Sequence, residues 1–286
     1  MLIIKEPWSN VGNTPLIKIG PQLYAKLETV NPTGSIKDRP VKYILENAIK
    51  SGMITKNTVL VEATSGNTGI SLSALGASLG LRVKIVMPRN MSIERKQMMT
   101  FYGAEIVDVG DNDFFAAINK RNEMVKNGDW SPMQFENYLN IECHKNNIAK
   151  EIITQVPRDS KITAFFSGAG TGGTIMGVRE HFREKGMDTH ICLVKPLETS
   201  DKHGIQGIGD GADYLANPSL MDRITSVKTR DAKKRVKQFA ESHGVLIGIS
   251  SGANIWAAEE YIKTVNPLGI VVTIIADRGE RYLSEF

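Results

Sequence analysis

Two hydrophobic periods alternate along this chain. Short runs rich in β-branched residues, at 58–62, 82–87, 105–109, 163–166, 191–195, 245–248 and 269–275, read as strands bounded by turn formers. Between them lie longer segments with apolar residues three and four apart, at 38–52, 70–80, 92–102, 114–126, 141–155, 174–185, 231–243 and 250–263. These read as helices, the first with Val41, Ile44, Leu45, Ala48 and Ile49 as its apolar stripe. Strand, polar glycine loop, helix is the grammar of a βα unit in a parallel sheet, and it runs through both halves of the chain. Residues 11–19 and 23–27 add a turn and two short strands, and 199–216, glycine-rich and aperiodic, reads as a long functional loop. The expected fold class is α/β with two lobes, each an open, mostly parallel twisted sheet flanked by helices. Ligand groups are expected at the carboxyl ends of strands.

Composition narrows the partners. The 286 residues are 41% hydrophobic and 23% charged, ordinary for a soluble globular protein. A net charge of +4 is small, and the densest basic run, 233–237, has helical spacing and reads as a solvated face. Nucleic acid is therefore not an expected partner, and an anionic small molecule is. No stretch approaches a membrane span, and the first ten residues lack a charged segment followed by a long apolar core, so a cytoplasmic location is expected. Cys143 and Cys192 lie far apart without metal-ligand spacing, which argues against a disulfide framework and against a zinc site.

Candidate chemistry begins at residues 31–39, Asn-Pro-Thr-Gly-Ser-Ile-Lys-Asp-Arg, where turn formers lead through Ser35, a candidate N-cap, into the first helix. Lys37 thus sits where a helix begins. The positive end of the helix dipole depresses the pKa of an ammonium group, a liability in a salt bridge and an asset in a nucleophilic amine. Residues 64–69, Thr-Ser-Gly-Asn-Thr-Gly, follow a strand and open a helix; hydroxyls, an amide and backbone N–H groups there suit a carboxylate. Residues 167–174, Ser-Gly-Ala-Gly-Thr-Gly-Gly-Thr, do the same farther along. Read as Gly168-x-Gly170-x-x-Gly173, this loop fits a dinucleotide fingerprint, so a nicotinamide or flavin enzyme is the competing class. That fingerprint also requires an acid at the end of the next strand, where Lys195 and Pro196 stand and Glu198 comes late; a lone phosphate fits better. Ser250-Ser251-Gly252 places a further hydroxyl at a strand end. An amine, a carboxylate loop, a phosphate loop and a hydroxyl together match what pyridoxal phosphate catalysis asks of a protein.

Here the chain resembles the β-family, or fold-type II, of pyridoxal-phosphate enzymes, and within it the cysteine synthase and cystathionine β-synthase group, along nearly its whole length. The resemblance rests on Gly12-Asn-Thr-Pro-Leu16, residues 31–39, 64–69 and 87–95, Gln134-Phe-Glu-Asn137, residues 170–174, Gly204-Ile-Gln-Gly-Ile-Gly209, Gly248-Ile-Ser-Ser-Gly252 and residues 277–284, in family order. It implies pyridoxal 5'-phosphate held by Lys37 as an internal aldimine, with the freed lysine as the base for the Cα proton. It implies Asn67 at the pyridine 3-hydroxyl, Gly170, Thr171, Gly172, Gly173 and Thr174 at the phosphate, and Ser250 at the pyridine nitrogen. Thr64, Ser65, Asn67, Thr68 and Gln134 are implied as substrate residues. A neutral hydroxyl at the ring nitrogen makes a milder electron sink, which suits β-elimination. The implied reaction is β-replacement on a serine-derived amino acid through an α-aminoacrylate, with O-acetyl-L-serine and sulfide giving L-cysteine and acetate. The family likeness further implies a tryptophan synthase β-subunit-like architecture, a smaller mobile lobe at 38–138, a larger lobe of 1–37 with 139–286, and a homodimer.

Three departures bear on substrate choice. Where the family commonly has alanine, the loop reads Gly207-Ile-Gly-Asp210-Gly211, and a carboxylate there would repel an anionic nucleophile or act as a base toward water or an amine. Asp210 is therefore a candidate specificity residue, with cysteine plus water giving serine and sulfide, or a cystathionine or diaminopropionate synthase, as the alternatives. The segment 195–203 is short, and the sequence ends at Phe286, so the family's C-terminal extension is expected to be absent.

Overall fold

A computed structural model describes residues 2–64, 66–111, 113–199, 203–209 and 214–286. The chain enters through a short antiparallel pair, β1 (Leu16–Lys18) and β2 (Leu23–Leu27), then α1 (Asp38–Lys50). Three βα units follow: β3 (Val59–Ala63) with α2 (Asn67–Leu79), β4 (Arg82–Pro88) with α3 (Ile93–Phe101), and β5 (Glu105–Val109) with α4 (Phe114–Lys126). Their strands form a parallel sheet in the order β3-β4-β5.

The helices α5 (Leu139–Asn146) and α6 (Ile148–Gln155) lead to the second sheet, built from β6 (Ile162–Gly168), β7 (His190–Pro196), β8 (Arg223–Val227) and β9 (Ile270–Ile275). Between them run α7 (Gly173–Glu184), α8 (Thr229–His243) and α9 (Ile249–Val265). This sheet has the order β1-β2-β9-β6-β7-β8, parallel throughout except for the β1–β2 pair. Right-handed βαβ crossovers require helices on both faces, and the central strands are accordingly apolar on both sides. Phe165, Phe166, Ile191, Leu193, Val271 and Val272 are all buried.

Three elements differ from the periodicity. The segment 141–155 is two helices: the backbone breaks at Asn147 (φ −117°, ψ −80°), whose side-chain Nδ2 donates to Cys143 O at 2.8 Å. An asparagine that satisfies a helical carbonyl with its own amide stops the ladder without any loss of apolar stripe. Residues 245–248 do not form a strand. Ile247 makes one isolated bridge to Arg278 and the segment turns directly into α9. β8 carries little apolar signal because it is an edge strand, mostly exposed up to Val227.

The loops between strand ends and helix starts meet in one place. β3 ends just before Thr64, β6 at the glycine loop before α7, and β9 just before Ala276, whose carbonyl accepts from Ile36 N at 2.8 Å. That bond brings the turn before Lys37 to the same end of the larger sheet.

Candidate active site

Lys37 is the residue immediately before α1, half-buried, with φ −68° and ψ −18°. Its turn is fixed from several sides. Ser35 is not a helix cap here; its Oγ accepts from Lys37 N at 3.3 Å, closing a local turn instead. Asp38, fully buried, accepts from Thr33 N at 2.7 Å and from the hydroxyls of Thr33 and Ser71. Burial raises the Asp38 pKa, opposed by those three donors and by Arg281. Gly34 holds φ +80°, a left-handed turn where a Cβ would also lie 2.9 Å from Arg281 Nη2. Arg39 then ties the first turn of α1 to Glu28 and Glu151 through four contacts of 2.6–2.8 Å.

Opposite this lysine lies the loop after β3. Thr64 and Thr68 are buried, and Thr68 Oγ1 donates to Gln134 Oε1 at 2.6 Å. Gln134 is held in turn by its Nε2 to Ala63 O and its N to Glu62 Oε2, both 3.0 Å. Asn67 begins α2, and its amide is gripped at both ends: Nδ2 donates to Asp277 Oδ2 at 2.6 Å, and Oδ1 accepts from Arg281 Nη1 at 2.5 Å. Ser65 lies outside the described residues.

The glycine loop is shaped by close packing rather than by a dinucleotide. A Cβ on Gly168 would fall 2.5 Å from Ile208, on Gly170 2.5 Å from Gly207 O, and on Gly172 (φ +91°) 2.3 Å from Ala216 N. Gly209 N and Leu215 N donate to the carbonyls of Ala169 and Thr171 at 3.0 Å, which ties both residues to the loop. Glu198, the late acid after β7, accepts from Thr229 N at 2.9 Å and so caps α8. Among the described residues, the ribose carboxylate of the competing class has no counterpart at this strand end.

These pieces enclose one cavity. Lys37, Thr64, Asn67, Thr68, Gln134, Gly170, Thr171, Gly172, Thr174 and Ser250 all line it, and Gly173 stands just behind, against Asn140. Asp210 lies outside the described residues. Several lining residues escaped the sequence reading. Arg95, buried, donates from Nε to Ser92 Oγ at 2.8 Å, bonds Gln206 and stacks 5.4 Å over the Tyr282 ring. Asn254 accepts from Gly168 N at 2.8 Å and donates to Ile274 O at 3.1 Å, bracing the glycine loop from α9. The rings of Phe135 and Tyr214, which also line the cavity, meet tilted at 34° with centroids 4.3 Å apart. The Met87 to Arg95 motif was one signal that pointed to Arg95; Asn254 gave none, since it sits mid-helix.

A family model described as "Pyridoxal-phosphate dependent enzyme" matches residues 8–277. The chain belongs to that family. Cysteine synthase B of Campylobacter jejuni is 41% identical over 288 residues, covering 96% of this chain and 95% of that protein. Its Escherichia coli counterpart is 39% identical over 286 residues, covering 96% and 93%. Among solved structures, a hydrogen sulfide-producing enzyme from Fusobacterium nucleatum superposes with a TM-score of 0.91 at 36% identity, covering 98% of this chain and 100% of that one. An O-acetylserine dependent cystathionine β-synthase from Helicobacter pylori gives 0.90 at 32% identity, covering 99% and 98%.

This pyridoxal-phosphate dependent enzyme has a donor set that fits its cofactor. Among the described residues the cavity wall carries two cations, Lys37 and Arg95, and no carboxylate. Its uncharged ends, the glycine loop at the N-terminus of α7 and the 64–68 turn at that of α2, suit a phosphate and a carboxylate. Ser250, at the start of α9, adds a hydroxyl to the cavity wall.

Proposed function

We propose that this enzyme carries out β-replacement on a serine-derived amino acid, with O-acetyl-L-serine and sulfide giving L-cysteine and acetate. The observation that carries this reading is that Lys37 and two uncharged anion loops line one cavity. It is supported by relatives named cysteine synthase at 34–41% identity. Lys37 Nζ holds the cofactor and later takes the proton from the substrate Cα. Thr64, Ser65, Thr68 and Gln134 bind the substrate carboxylate, Asn67 contacts the ring hydroxyl, and Thr171 and Thr174 with the Gly170, Gly172 and Gly173 backbone hold the phosphate. Ser250 faces the ring nitrogen. The bound cofactor supplies the sink for the electron pair left at Cα when that proton leaves. Residues 38–138 form a smaller lobe that closes over the carboxylate and keeps water from the reacting carbon.

A second reading has a specific support: a solved structure at 36% identity and a TM-score of 0.91 is that of a hydrogen sulfide-producing enzyme. With Asp210 beside Gly209, the nucleophile would be water and the donor cysteine. One experiment separates the two: mass spectrometry of products from O-acetylserine, O-phosphoserine and cysteine, each with and without sulfide, for the parent and Asp210→Ala. Cysteine formed from O-acetylserine and sulfide supports the first reading. Serine and sulfide formed from cysteine alone, lost in Asp210→Ala, supports the second, and unchanged product ratios in that variant remove Asp210 from the account. A cytoplasmic location and a homodimer complete the proposal. No helix among the described residues is long and apolar enough to cross a membrane. The dimer is supported by the exposed apolar side chains of Ile93, Phe101 and Tyr102 at the two ends of α3.

A further inference from the structure

Both threonines of the glycine loop are held from behind by one helix, α5. Asn140 Nδ2 donates to Thr171 Oγ1 and to Gln134 O, each at 3.0 Å. One turn later, His144 Nε2 lies 3.3 Å from Thr174 Oγ1. Positions i and i+4 share a helix face. That face reaches the loop because α7 presents glycines to it. A Cβ on Gly173 would be 2.1 Å from Asn140 Oδ1, and one on Gly177 would be 2.5 Å from Ile141 O and 2.8 Å from His144 Cβ.

Elementary chemistry fixes the direction of these bonds. Gln134 O can only accept, so the Asn140 atom facing it is the amide nitrogen, and its second proton goes to Thr171 Oγ1. Gly173 N donates to the same oxygen at 3.3 Å. A hydroxyl has two lone pairs and one proton. With both lone pairs of Thr171 engaged, its proton is the function left for the cavity it lines. His144 is buried, and its Nδ1 has no hydrogen-bond partner among the described residues. A proton on Nδ1 would be a buried donor without an acceptor, whereas a proton on Nε2 has Thr174 Oγ1. Burial, with Arg39 and Lys37 nearby, lowers the His144 pKa and keeps the ring neutral, so the ring has one proton to place.

We infer that Asn140 and His144 are positioning residues that set both threonine hydroxyls as donors into the cavity, so that the loop is polarised for a phosphate dianion before the ligand arrives. This rests on the phosphate assignment made above. Asn140 also joins the phosphate loop to the backbone of Gln134, so one side chain aligns both anion sites.

The test is the ratio of affinities for pyridoxal 5'-phosphate and for pyridoxal, which lacks the phosphate, measured by fluorescence titration of full-length enzyme stripped of cofactor. Loss of one hydrogen bond to a charged group corresponds to roughly 10- to 100-fold in affinity. Asn140→Leu removes the donor to Thr171 without adding a charge, and should lower the preference for the phosphorylated ligand by about that factor. The same change on a Thr171→Val background should have little further effect. His144→Leu should lower the preference about tenfold, while His144→Gln, which keeps a donor, should stay near the parent. A general loss of stability would weaken both ligands and leave the ratio unmoved. Nitrogen-15 NMR of the parent gives a readout independent of any variant's folding: His144 should be the Nε2–H tautomer. An unchanged ratio in Asn140→Leu and His144→Leu, or an Nδ1–H tautomer, overturns the inference. A parent enzyme with no preference for the phosphorylated ligand overturns both the inference and the phosphate assignment.

Discussion

Arg39 stands two residues after Lys37 and is gripped by two carboxylates, Glu28 on one side and Glu151 on the other, while Lys26 reaches Glu151 at 2.6 Å. Burial alone would raise the Glu151 pKa, but Arg39 and Lys26 outweigh it and bring the carboxyl from 4.5 down to about 2. A carboxylate whose pKa is depressed in the folded state contributes stability above its unfolded pKa and loses it as pH falls through the folded value. The window here is about pH 4.5 to 2. Glu151→Gln should be less stable than the parent at neutral pH by on the order of 3 kcal/mol, and the difference should shrink through that window. Urea unfolding at a series of pH values measures it; a gap that stays constant down to pH 2 contradicts the ion pair's role. Lys37 and the threonines were legible in the sequence because each sits in a local signature, a turn running into a helix or a glycine loop after a strand. Asn140, His144 and Asn254 were not, because their meaning depends on which helix packs behind the loop.

Most elements followed from periodicity, and the exceptions have local causes: a side chain that breaks an intact apolar stripe at Asn147, and an exposed edge that leaves β8 little apolar signal. Asn147 divides a continuous apolar stripe into α5 and α6, and that break lets α5 lie along α7. The contact between them runs through Gly177, where a Cβ would meet the backbone at Ile141 O (2.5 Å) and Lys145 N (2.7 Å). Backbone cannot yield as a flexible side chain can. Gly177→Ala should therefore push α5 away at a cost of about 1–3 kcal/mol. It should also weaken cofactor binding, because Asn140 and His144 move with the helix. Thermal unfolding and cofactor titration on the same preparation check both; a stable variant with parent affinity would show that the α5–α7 approach is not needed.

At the scale of the molecule, two sheets face one cavity and the C-terminal turn, Gly279–Glu285, laces them together. Arg281 Nη2 donates to Thr33 O at 2.7 Å beside the lysine turn, its Nη1 holds Asn67 on α2, and its carbonyl accepts from Ser92 Oγ at 3.2 Å ahead of α3. Glu94 accepts from Ser284 N and Oγ at 3.1 and 3.0 Å. If residues 38–138 close on the substrate carboxylate, these contacts are the ones that move. Hydrogen exchange of α3 should slow when O-acetylserine binds, and equal rates would contradict lobe closure. Sedimentation of the parent and of Phe101→Glu tests the dimer: a parent dimer that dissociates in the variant places it on the α3 face, and a parent monomer rules it out.

The proposed chemistry depends on the amine of Lys37, immediately before α1. Borohydride reduction of the yellow enzyme, followed by proteolysis and mass spectrometry, fixes the cofactor to whichever lysine carries it. The account predicts a phosphopyridoxyl group on the peptide containing Lys37 and none in Lys37→Ala; a label on another lysine, or no label at all, would contradict it.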